Sequence, residues 1–133
     1  MSKKKLGQQT VAFSHPPSFL ACANVVGQLE GQGPLAQTFD LIDSDDTFGE
    51  STWEKSESAM QKKALSLALD KLGQGASTLD WLFAGDLLNQ CISAGYAARS
   101  AGVPFFGLYG ACSTMAESLG LAAMLLDGGF GEW

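Results

Sequence analysis

The chain has 133 residues, of which 46% are hydrophobic and 17% charged, with a formal net charge of −6. That composition excludes a disordered chain and provides for one globular domain. The acidic balance lacks the basic footprint that nucleic-acid binding requires, so no nucleic-acid partner is expected.

Residues 1–9 read as a flexible basic tail, and Lys3-Lys4-Lys5 is its solvated basic run. Three lysines ahead of Val11-Ala12-Phe13 imitate a signal peptide, but Ser14-His15-Pro16-Pro17 breaks the apolar run too early. No apolar run approaches the ~18–20 residues of a membrane span. Thr10-Val11-Ala12-Phe13 is expected as a first strand. From Ser18 to Glu50 the signal is mixed and places no element, because Gly27, Gly31, Gly33 and Pro34 interrupt it.

A helix is predicted over 51–72. Ser51-Thr52-Trp53-Glu54 fits the S-x-x-E capping box, and Met60, Ala64, Leu67, Ala68, Lys71 and Leu72 trace one face. Gly73 and Gly75 follow its end. Leu79 to Ala84 reads as a buried strand, followed at once by Gly85-Asp86 and a helix through Leu87, Leu88, Cys91, Ile92, Tyr96 and Ala97. Phe105 to Gly110 is a third short apolar strand leading into a glycine turn. A helix opening at Cys112 then carries Met115, Leu119, Ala122, Ala123 and Leu126 on one face and stops at Gly128-Gly129. Strands alternating with helices predict an α/β fold with a mostly parallel sheet and covering helices.

Ligands of such sheets bind beyond the carboxyl ends of the strands. Asp86 and Cys112 follow consecutive strands and are expected on the same sheet edge. Cys112 is the leading site candidate, because a helix N-terminus favours a thiolate or an acidic ligand. The bland alternative is a small cysteine filling a tight turn. A cysteine nucleophile needs a base, and the one histidine, His15, lies beside two prolines. Asp86 and Asn89 come next; Asp86 either caps the following helix or points into a pocket shared with Cys112. Cys22 and Cys91 read as packing residues, Cys91 on the apolar face of its helix. The three cysteines have neither disulfide nor zinc spacing, which points to a reducing, cytosolic setting. Asp43, Asp45, Thr47 and Glu54 stand at calcium-loop positions, but Phe48 replaces the required glycine. That stretch reads as a solvated acidic loop, and no metal or cofactor is expected.

Ala84-Gly85-Asp86-Leu87-Leu88-Asn89-Gln90, Pro104 through Gly110, Ala111 through Ser118 and Asp127-Gly128-Gly129-Phe130 resemble the stage V sporulation protein AD family, with agreement at Gly33-Pro34-Leu35, Phe39-Asp40 and Trp53-Glu54. The resemblance covers residues 10–133 as the N-terminal portion of that family. It implies a thiolase-like fold, of which this chain is the first half, cut short of the rest. Cys112 matches the position of the thiolase nucleophile. The family binds dipicolinic acid and helps move it, with calcium, into the developing spore beside membrane-embedded sporulation proteins. The implied ligand site contains Asp86, Asn89, Cys112 and Ser113. The implied location is the cytoplasm of the forespore or spore, peripheral at its inner membrane, and relatives of the fold are commonly homodimers. The competing reading is a ketoacyl-synthase-type acyl transfer with Cys112 as the catalytic nucleophile.

Overall fold

A computed structural model describes residues 4–133 of the chain. The first expected strand belongs to a hairpin: β1 (Lys5–Leu6) and β2 (Thr10–Val11) pair antiparallel, separate from the other strands. Gly7 in the left-handed region makes the turn. The stretch 5–9, read from composition as part of a tail, is therefore strand and turn. Lys3, the first lysine of the basic run, lies outside the described residues.

Two short parallel strand pairs carry the rest of the architecture. One joins β3 (Val25–Val26) to β4 (Leu41–Ile42), with α1 (Gln28–Gly31) in the crossover between them. Gly31 lets this small unit close, because a Cβ there would run into the Ile42 side chain. Nothing in the residue pattern announces these elements, since strands of two residues carry no periodicity. The other pair joins β5 (Leu82–Ala84) to β6 (Phe105–Gly107), with α3 (Ile92–Ala101) between them. It is the strand–helix–strand unit expected from the alternation of apolar runs.

The long helix α2 (Trp53–Leu72) matches the predicted span within two residues. Its cap is Thr52 rather than Ser51: the Thr52 hydroxyl accepts from the Lys55 N–H at 3.3 Å. Gly73 closes it in a left-handed conformation. α2 packs against both α3 and β3. This packing buries Ser56, Ser58 and Leu69, whereas much of the expected stripe is only half-buried. The buried apolar side chains are Leu69, Ala94, Ala97 and Ala98, so the described core is a joint of mostly small residues between α2 and α3.

The last helix, α4 (Thr114–Asp127), follows a single 3₁₀ turn at Ala111–Ser113. It exposes Met115, Leu119, Leu121 and Met124. Beyond it the chain returns to the approach to β5: the Trp81 indole N–H donates to the Phe130 carbonyl at 2.7 Å, and Asp80 accepts from the Glu132 N–H at 2.6 Å. The Asp127 carboxylate, buried at the end of α4, accepts from the Lys4 ammonium at 2.8 Å and the His15 N–H at 2.7 Å. These contacts tie the N-terminal hairpin region to the end of α4.

Candidate functional site

The site is built where β5 and β6 end side by side. Phe83 and Phe106 are register partners and stack with ring centres 4.9 Å apart, and Trp81 adds a tilted ring 5.5 Å from Phe106. The pairing continues past the strands, where the Leu108 N–H donates to the Ala84 carbonyl at 2.9 Å. Gly85 permits this approach: a Cβ would press onto the Leu108 carbonyl and lie 2.8 Å from the Thr114 methyl.

From Leu108 the backbone turns sharply into α4. The left-handed residue of that turn is Ala111, with φ +48°, whereas Gly110 has an ordinary φ of −107°. An alanine held there is strained, as nucleophile-bearing strand-to-helix elbows commonly are. Gly110 is needed for space instead, because a Cβ would strike the Glu117 carboxylate. Cys112 sits in the 3₁₀ turn, one step ahead of α4, rather than in its first helical turn. It is exposed, so it does not fill a tight turn. The Ser113 hydroxyl lies between the Gly110 carbonyl, at 2.7 Å, and the Glu117 carboxylate. Glu117 thus brings a negative charge to the first turn of α4, where the helix dipole favours it. An acidic ligand approaching Ser113 meets that carboxylate first. Glu117 was absent from the sequence-based site, although Thr114-Met115-Ala116-Glu117 has the T-x-x-E spacing that signals a helix start.

Asp86 follows β5 on the same sheet edge as Cys112, as the parallel order requires, but its carboxylate is directed at the loop before α3 and at α3 itself. It accepts from the N–H groups of Asn89 at 3.1 Å, Cys91 at 3.2 Å and Ala94 at 2.9 Å. Asp86 is 3% exposed and acts as a cap. The segment from Leu87 to Cys91 is a loop rather than the start of the helix. Gln90 and Cys91 both take positive φ, and α3 begins only at Ile92. The apolar spacing of Leu87, Leu88 and Cys91 imitates a helical turn, but the triple capping by Asp86 fixes a wider loop. Cys91 therefore lies ahead of its helix, and its thiol meets the Leu108 carbonyl at 3.1 Å. Asn89 is exposed on the same loop.

Beneath the elbow runs an open groove of about 540 Å³. Ala84 and Gly85, Gln61 and Ala94, and Thr114 and Ser118 line it. The Thr114 hydroxyl is buried without a partner, and the Gln61 amide reaches the Gly85 carbonyl at 3.5 Å. His15 is far away. Its ring faces Asp127 at the end of α4, and 14 helical residues separate that end from the elbow, about 20 Å at the α-helical rise. The acidic loop at 43–50 is held by its own turns, with Asp45 accepting from the N–H of Thr47 at 2.9 Å and of Gly49 at 2.8 Å. No cluster of metal-binding side chains occurs among the described residues.

Parallel strand–helix–strand pairing with a cysteine elbow defines an α/β protein whose site lies at the carboxyl edge of its strands. Residues 7–133 match the family model for stage V sporulation protein AD. The chain is also 37% identical over 129 residues to stage V sporulation protein AD of Bacillus subtilis (strain 168), covering 97% of this chain and 38% of that protein. It belongs to the stage V sporulation protein AD family. It spans about two-fifths of the length of the curated relative it matches.

Proposed function

We propose that the chain acts in spore formation as the N-terminal portion of a thiolase-like, dipicolinic-acid-binding protein that supports uptake of calcium dipicolinate into the developing spore. The family match through residues 7–133, which includes the whole elbow, carries this reading. The distance of the one histidine from the elbow supports binding over catalysis by this chain alone. Gln61, Thr114 and Ser118 line the groove with neutral polar groups, while the one histidine lies at the opposite end of α4. In this reading Cys112 and Ser113 contact the ligand once the Glu117 carboxylate has released the Ser113 hydroxyl and turned away; Asp86 holds the loop that carries Asn89.

The thiolase-like architecture of two related α/β halves has physical support in what the chain leaves uncovered. A compact monomer of 14.0 kDa exposes about 6,700 Å². This chain exposes 8882 Å², and α4 presents apolar side chains to solvent. A second α/β half against α4 accounts for that surface. No helix among the described residues is long and apolar enough to cross a membrane. Peripheral association with membrane-embedded sporulation proteins, and a homodimer, complete the proposal.

Calorimetric titration of dipicolinate into a chimera tests it, with this chain replacing the matched portion of the Bacillus subtilis relative. Saturable binding that weakens on Ser113→Ala is expected, with little or no binding by the 133-residue chain alone. Absence of binding by the folded chimera overturns the reading.

The exposed cysteine at a strained elbow favours one second reading, acyl transfer. The Cys112 sulfur attacks a thioester carbonyl, the bond from that carbon to the donor sulfur breaks as the new thioester forms, and the Cys112 proton passes to the departing donor sulfur. A stable acyl adduct by mass spectrometry after incubation with acyl-CoA, lost on Cys112→Ser, establishes that reading and sinks pure binding.

A further inference from the structure

Charge is segregated along this chain. Residues 1–29 hold Lys3, Lys4 and Lys5 and no acidic residue, and all 14 acidic residues lie from Glu30 onward. A chain of net charge −6 thus begins with a stretch of the opposite sign. The described part of that stretch also exposes large apolar side chains. Leu6 and Val11 stand out on the β1–β2 hairpin, and Phe19 and Leu20 beyond it. Phe19, at 80%, is the most exposed large hydrophobic side chain among the described residues.

Residues 12–24 form neither helix nor strand, and Pro16-Pro17 restricts the backbone just ahead of Phe19. Asp127 fixes this segment and the hairpin together at the end of α4. It accepts from the His15 N–H at 2.7 Å and the Lys4 ammonium at 2.8 Å, while the Ala12 N–H donates to the Lys4 carbonyl at 2.7 Å. Between the segment and α4 lies an open apolar groove of about 470 Å³, with Phe13, Pro16 and Phe19 on one wall and Leu119, Ala123 and Leu126 on the other. No charged side chain among the described residues lines it. A smaller groove beside it reaches His15 and Leu20, and its acidic group is Glu132. The Asp127 charge is buried and met by Lys4, and Lys5 is exposed on the hairpin.

We propose that this N-terminal face docks directly on an anionic lipid surface, with Phe19 and Leu20 entering the boundary between headgroups and acyl chains and Lys5 facing the headgroup charge. This deepens the membrane association proposed above, on which it rests for its setting, by making lipid itself the partner. A few apolar side chains or a lysine alone give marginal attachment, and the two together give more. An acid-free stretch fits a bilayer better than a protein. A membrane presents one sign of charge to every residue that approaches it, whereas protein interfaces pair both signs. The acidic remainder of the chain is repelled from the same surface, so the charge segregation also sets the orientation.

Sedimentation with vesicles tests this on the chimera of this chain with the remainder of the Bacillus subtilis relative. The folded chimera is expected to pellet with vesicles of phosphatidylglycerol and phosphatidylcholine, far less with phosphatidylcholine alone, and to be released by added salt. Phe19→Ser combined with Leu20→Ser is expected to lower partitioning by about tenfold, and Lys5→Glu by about as much. All three side chains are exposed, and urea unfolding of each variant checks that the fold is intact. No pelleting with the phosphatidylglycerol vesicles overturns the proposal, as does pelleting unchanged in both variants. Pelleting only with membranes that retain their proteins assigns the face to a protein partner and overturns it too. Vesicle binding by a chimera that fails to bind dipicolinate supports this proposal and overturns the ligand reading alone.

Discussion

Cys112 is exposed and Asp86 is buried, and that contrast sets what a substitution at each reports. Cys112→Ser leaves no cavity and removes no hydrogen-bond partner, so its stability change is expected within about 0.5 kcal/mol. Any change it makes in ligand binding or acylation then reads the site rather than the fold. Asp86→Ala strands three N–H donors of the loop and α3. It is expected to destabilise the chain by at least about 2 kcal/mol in denaturant unfolding, because unpaired buried donors each cost about 1–3 kcal/mol. A loss below about 0.5 kcal/mol shows that water replaces the carboxylate and that the cap does little. Both residues are legible in the sequence as positions. Their roles are not, because the direction of a side chain depends on the loop that carries it.

At the scale of elements, the two long helices and the β5–α3–β6 unit follow from periodicity and end signals, while the short strands do not. Thr52 illustrates the limit. The S-x-x-E pattern points to Ser51, yet one residue of slack moves the cap to Thr52, where the hydroxyl reaches the Lys55 N–H. Thr52→Ala is expected to cost about 1 kcal/mol and Ser51→Ala almost nothing, measured by urea unfolding. Gly85 offers the converse case, a glycine whose reason is spatial. Gly85→Ala drives a methyl into the Leu108 carbonyl and the Thr114 side chain. The strain is expected to cost about 1–3 kcal/mol and to splay β5 from β6, seen as lost exchange protection of the Leu108 amide. Unchanged protection there places the approach elsewhere. The loop before α3 is hidden from the pattern, because Leu87, Leu88 and Cys91 fit a helical stripe. Asp86 overrides that stripe by taking backbone donors from three positions at once.

The whole molecule shows an imbalance between buried and exposed apolar surface. The chain exposes about 2,200 Å² more than a compact protein of its mass, with Met115, Leu119, Leu121 and Met124 along one helix. Alone in solution it is expected to bind a hydrophobic dye and to self-associate, both suppressed in the full-length chimera. A monodisperse, dye-free chain removes the argument for a covering half. The ends of the described chain are joined through Asp127, whose carboxyl the Lys4 ammonium, and then the His15 N–H, hold below the ordinary aspartate range. That contribution is present above the ordinary value of 3.8 and is lost as pH falls through the folded one. Lys4→Met is expected to flatten the acid side of the stability curve over about pH 2 to 4 in thermal melts, and added salt to act in the same direction on the unaltered chain. An unchanged curve shows that the hairpin is not tied through this pair.

The sequence by itself determined the family, the parallel strand–helix–strand unit, and the placing of Asp86 and Cys112 on one sheet edge. Local spacing and chain order suffice for those, since a parallel pair puts consecutive strand ends together. Only the tertiary structure decided that Asp86 faces α3, that Ala111 bears the turn, and that Glu117 guards Ser113. Each of these depends on contacts between residues whose spacing carries no pattern, formed when helices and loops pack and take the N–H donors within reach.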